Sequence, residues 1–137
     1  MRAVSTRTVS AQWLGGYQVK VVAGAFELRV DEPVSAGGTD TGPQPTDHLL
    51  ASIASCFVLA LAYSARKHAV ELPESVAVTV TGTYDGPRFS RIAIAVAAEL
   101  PDGTAEKLLA SAERVCYVTN TLRRPPEITV QHVPGAG

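Results

Sequence analysis

With 137 residues, 46% of them hydrophobic and 18% charged, the chain has the composition of a single globular domain (1–137) with a sizeable core rather than a disordered tail. A net charge of −1 and an aromatic content of 6% give no footing for binding nucleic acid or an anionic membrane surface. The opening "MRAVSTRTVSAQWLGG" has no apolar signal-peptide core, and the longest apolar stretch, 49–63, is short and interrupted by Ser52 and Ser55, so a cytoplasmic protein without a membrane span is expected.

Period-2 alternation opens the chain. Tyr17, Val19 and Val21 alternate with Gln18 and Lys20, and Phe26, Leu28 and Val30 alternate with Glu27, Arg29 and Asp31. Gly15-Gly16 and Gly24 supply turns, and "VSAGGTDTGPQP" reads as a loop. A helix over 46–68 follows, entered through Pro43 and Pro45. Two more strands come next, with Val76, Val78 and Val80 on one face of the first and Ile92, Ile94 and Val96 on one face of the second, joined by "YDGPRFS". A second helix begins after "PDGT", with Asp102 or Thr104 as N-cap, and runs until Pro125 and Pro126 stop it. Ile128 and Val130 make a last short strand. With a strand before Gly15, the order is β-β-β-α-β-β-α-β, an α+β domain whose helices cover one face of antiparallel sheet.

The first helix carries Cys56 in an apolar setting. On a wheel of 100° per residue, His48, Ser52, Ser55, Cys56, Leu59, Tyr63 and Arg66 share one arc, which holds most of the helix's polar side chains. A thiol buried for packing alone belongs among Leu, Ile and Phe, so both a structural and a redox role stay open for Cys56. On the second helix Ala105, Leu109, Ala112 and Cys116 share a stripe, which turns Cys116 inward. Two cysteines in a cytoplasmic chain are more often free or redox-active than a structural staple.

"GGTDTGPQPTDHLLASIASC" resembles the glycine-proline loop and cysteine helix of the OsmC/Ohr family, that of osmotically inducible protein C and organic hydroperoxide resistance protein. "AERVCYVTNTL", whose cysteine follows Cys56 by 60 positions, resembles the second cysteine motif of that family, and the element order agrees over nearly the whole chain. The resemblance implies a thiol peroxidase acting on organic hydroperoxides. Cys56 would attack the peroxide and become a sulfenic acid, and Cys116 would condense with it to a disulfide that an external dithiol reduces. It implies no metal or organic cofactor, and an intertwined homodimer with its sites at the subunit interface. Phe57, Leu59 and Tyr63 are then expected to wall an apolar substrate cleft around the thiol.

The chain departs from the family pattern at three places. Thr46 occupies the position ten before the cysteine where many members carry glutamate; Asp47 stands nine before it, with a first-turn dipole role open to it as well as a supporting one. The segment "SAQWLGGYQVKVVAG" holds no arginine, and Tyr117 follows the second cysteine where proline is usual. These departures keep a second reading open: a non-catalytic module of the same fold that binds a small apolar ligand in the interface cleft. The "DTG" of Asp40 to Gly42 lacks the hydrophobic flanks of an aspartic-protease strand turn, and His48, His68 and His132 have no metal-ligand spacing with each other or with either cysteine.

Overall fold

The structure, a computed structural model, describes residues 5–135. The chain forms two compact units, Met1–Ala51 and Ser52–Gly137.

The first unit is a three-stranded antiparallel sheet in the order β1 (Ser10–Gly15), β2 (Gln18–Ala23), β3 (Phe26–Val30). Ser10 lies opposite Val22, Val19 opposite Val30, and a bulge interrupts β1 after Trp13. The turn from β2 to β3 places Gly24 at a φ of 61°, in the left-handed region that favours glycine. After β3 the loop folds back on Asp31, which is fully buried. Its Oδ2 accepts hydrogen bonds from the hydroxyls of Thr39 (2.6 Å) and Thr41 (2.7 Å) and from the Thr41 amide (3.0 Å), while its Oδ1 accepts from the amides of Glu32 (2.7 Å) and Thr39 (3.4 Å). The "GGTDTG" run is thus a wrap around a buried carboxylate. Its glycines allow the close approach: a Cβ at Gly38 would overlap the Glu32 backbone, and one at Gly42 would stand 2.6 Å from the Arg29 carbonyl oxygen.

Helix α1 (Pro45–Lys67) starts in the first unit and continues into the second. Its 23 residues exceed the apolar stretch recognised in the sequence, and by length and composition alone the helix could cross a membrane. Its apolarity has an account within the fold. Phe57, Ala60, Leu61 and Ala65 form the core of the second unit with Leu108, Ala112 and Cys116, and Val78, Ile94 and Val96 of the second sheet pack against them. That sheet is the antiparallel pair β4 (Ala77–Tyr84) and β5 (Phe89–Ala97), in which Val78 faces Val96 and Val80 faces Ile94. Period-2 placement puts these valines and isoleucines on the covered face.

Four expectations change beyond β5. The second helix is two helices, α2 (Thr104–Val115) and α3 (Tyr117–Arg123), separated at Cys116, whose φ of −75° and ψ of 108° are extended. The Asn120 side chain donates to the Arg114 carbonyl (3.1 Å) at the end of α2, and the Thr119 hydroxyl donates to the Cys116 carbonyl (3.3 Å), which also accepts from the Asn120 amide (3.0 Å). The residue capping α2 is Gly103, with Thr104 already helical, in place of the Asp102 or Thr104 cap. The buried stripe on α2 is Leu108, Ser111 and Ala112, which keeps Ala112 of the expected stripe, replaces the exposed Leu109 with Leu108, and still leads to Cys116. Finally, Ile128 and Val130 form no strand: they are 83% and 94% exposed, and among the described residues no strand pairs with theirs. Alternation alone makes no ladder without a partner edge.

Candidate active site around Cys56 and Cys116

The site is built where α1 meets the junction of α2 and α3. Cys56 is half-buried, Cys116 is fully buried in the core, and both are free thiols. The two cysteines, apart in sequence, are brought together: Cys56 packs against the cluster that contains Cys116, and its thiol is among the groups that influence the Cys116 sulfur. Burial pushes the Cys116 thiol up. The Thr119 hydroxyl and amide, the Cys56 thiol and the Val118 amide outweigh burial, and hold Cys116 below the ordinary thiol range. Cys116 is the N-cap residue of α3, beside the first amides of that helix, which lack partners within it.

Cys56 opens on a cleft of about 540 Å³. Leu59, Ala60 and Tyr63 of α1, Arg114 and Val115 of α2, and Tyr117 line it together with the thiol. Leu59 and Tyr63 therefore stand beside Cys56, one turn and two turns along its helix. Phe57 does not: it is 3% exposed and belongs to the core cluster. The reason is angular, because the residue after Cys56 points 100° further round the helix, toward the sheet. Thr46 and Asp47 occupy the first turn of α1, in the first unit, with the carboxylate of Asp47 exposed where it complements the helix dipole.

Sequence reasoning missed Thr119, Arg114 and the cleft role of Tyr117. A continuous second helix hid them. Once a break at Cys116 is allowed, "VTNT" reads as a polar cap for a new helix, and Arg114 falls at the end of the old one.

A sequence model of OsmC-like proteins matches residues 38–131. The chain belongs to this family, a class of α+β proteins of peroxide resistance and stress response. Among solved structures it is similar to a Legionella pneumophila protein described as an organic hydroperoxide resistance protein, OsmC, and predicted redox protein. The two are 26% identical with a TM-score of 0.66, over 89% of this chain and 92% of that one. It is also similar to a Vibrio cholerae protein described as an organic hydroperoxide resistance protein, solved with captopril in one of its active sites. Here identity is 27% and the TM-score 0.65, over 91% of this chain and 89% of that one. A Haloferax volcanii protein of uncharacterized function is 28% identical over 126 residues, 90% of this chain and 89% of its own length.

Proposed function

We infer that the protein is a thiol peroxidase that reduces organic hydroperoxides, with Cys56 as the attacking residue and Cys116 as the resolving one. The observation that carries this reading is the division of labour between the two sulfurs. One lines an apolar cleft; the other is fully buried, with its pKa lowered, the first being among the groups that lower it. A bulky hydroperoxide reaches Cys56 and not Cys116. Moving the shared proton from Cys56 to Cys116 makes Cys56 the thiolate. Its sulfur attacks the outer peroxide oxygen, the O–O bond breaks, and the organic alkoxide leaves as the alcohol by taking that proton. Cys116, a thiolate again, attacks the sulfenic sulfur, the S–S bond forms and hydroxide departs. Two thiol sulfurs are oxidised and one peroxide is reduced; a dithiol partner returns the pair to its reduced state by exchange.

The same reading includes a homodimer. Trp13, Phe26 and Leu28 leave an apolar surface on the first sheet, and Ile128 and Val130 leave another on the C-terminal segment; a second copy of the chain would cover them. A stable monomer at micromolar concentration in sedimentation would contradict that part.

The second reading, a module that holds a small apolar ligand without turning it over, draws on the absence of arginine from the first hairpin. Peroxide consumption in the presence of a dithiol separates the two. Wild-type protein should consume cumene hydroperoxide catalytically, Cys56→Ser should not, and Cys116→Ser should complete one round and then over-oxidise at Cys56. Equal, background-level consumption by all three would leave the binding module.

A further inference from the structure

A second cavity, of about 370 Å³, lies in the second unit against β5, α1 and α3, and it shares no lining residue with the cleft beside Cys56. Two guanidinium groups reach it from different elements, Arg91 from β5 and Arg123 from α3, and no carboxylate lines it. Among the described residues Arg91 forms no ion pair, and Arg123 forms one, an exposed contact with Glu113 at 3.5 Å. Such a pair contributes little in water, so a ligand anion can compete for that guanidinium. The hydroxyls of Ser90 and Thr119, also in the lining, donate to the Thr83 and Cys116 carbonyls (3.4 and 3.3 Å). The side-chain donors left for a ligand are therefore those of the two arginines. The floor is apolar, with Ile53, itself fully buried, beside Ile92 and Ile94. Phe89 adds a ring whose place is fixed. It lies over Gly82, where a Cβ would stand 2.6 Å from the ring, and its centroid is 4.6 Å from that of Tyr84.

Two guanidinium forks present two positive charges and a surplus of N–H donors, and offer a ligand no acceptor. A phosphate monoester answers both features, with a charge near −2 above about pH 6 and three acceptor oxygens, where a carboxylate brings half the charge. We propose that this cavity is a ligand site for a small phosphate monoester with a flat apolar body: Arg91 and Arg123 take the phosphate, and the body lies on Phe89 and the three isoleucines. The site stands apart from the peroxidase reading, because its occupancy is read without turnover.

The chain carries its own probes. Of its four isoleucines, Ile53, Ile92 and Ile94 line the cavity, and Ile128 lies exposed on the C-terminal segment. Methyl spectra of protein labelled at the isoleucine δ1 carbons are recorded at about pH 7.5, where the phosphate is dianionic, as phenyl phosphate, benzoate or phenol is added. Phenyl phosphate should move the three cavity methyls saturably and leave Ile128 in place. Its affinity should exceed that of phenol about tenfold, the size of two partly exposed charge pairs, with benzoate between them. The preference should shrink as salt is raised, fall in Arg91→Gln and in Arg123→Gln, and vanish in the double variant. Arg124→Gln removes the same charge one residue outside the cavity and should leave the preference intact. Equal affinity for phenyl phosphate and either of the other ligands, no saturable shift of the cavity methyls, or a preference that survives the double variant would overturn the proposal. An equal loss in Arg124→Gln would do the same, since it would mark a response to net charge alone. Should the double variant not fold, the wild-type salt dependence and the two single variants decide.

Discussion

Asp31 and Cys116 are built alike and behave differently. Each is a fully buried side chain able to carry negative charge, and each is shifted toward its charged form by neighbouring threonine hydroxyls and backbone amides. At Asp31 the donors are complete. The hydroxyls of Thr39 and Thr41 lead, the amides of Thr41 and Glu32 add to them, and together they hold the carboxyl far below its usual range against the cost of burial. The result is a fixed anion that ties a loop. At Cys116 burial is the largest single influence and the neighbouring groups together overcome it; one of them is itself a thiol. The difference teaches how similar donors can serve a staple in one place and a reactive pair in another. A carboxylate with all its lone pairs satisfied has nothing left to do, whereas a thiol poised between two protonation states has.

Replacing Asp31 with Asn breaks the staple and is the largest effect on stability. An amide puts an NH2 where donors converge, so at least one of the Thr39 and Thr41 contacts becomes donor against donor. The midpoint of thermal unfolding at pH 7 should fall clearly. The wild type also carries an acid signature. Because the folded value of Asp31 is depressed below the ordinary 3.8, its contribution is full above about pH 4 and is lost as pH falls further. Asp31→Asn should flatten that limb of the stability profile, and thiol alkylation rates should stay as they were.

Thr119→Val sharpens the contrast from the other side. Loss of the hydroxyl removes the leading group that opposes burial at Cys116, so the thiol pKa rises and less thiolate is present at pH 7. Thiols of higher pKa are better nucleophiles once ionised, which recovers about threefold for each tenfold loss of thiolate. Stopped-flow measurement of disulfide formation should therefore show a fall of about threefold per tenfold loss, with the acid limb of stability unchanged. The smallest effect is expected from Asn120→Ala, which frees the Arg114 carbonyl at the end of α2 and should cost about 1 kcal/mol in chemical denaturation.

Much of this was legible in the chain. The two cysteine motifs pointed to the family, and alternation at Val19 and Val21, at Val78 and Val80, and at Ile92 and Ile94 marked strands that do form. The helix over 46–68 differs from α1 by one residue at each end. What could not be read depended on partners. Whether Val130 belongs to a strand is decided by an edge beside it, and periodicity holds no information about that edge. The break at Cys116 was masked because "AEKLLASAERVCYVTNTLRR" has no proline or glycine, and side chains of Thr119 and Asn120 make the caps instead. Phe57 was misplaced because hydrophobic character cannot tell a cleft wall from a core.

The central claim is that Cys56 and Cys116 act as one redox pair. Reduced protein is treated with one equivalent of cumene hydroperoxide, blocked with an alkylating reagent and digested without reductant for mass spectrometry. The account predicts a single new species in which the Cys56 and Cys116 peptides are joined by a disulfide, formed as the peroxide disappears. Both cysteines recovered as alkylated thiols while the peroxide persists would contradict it.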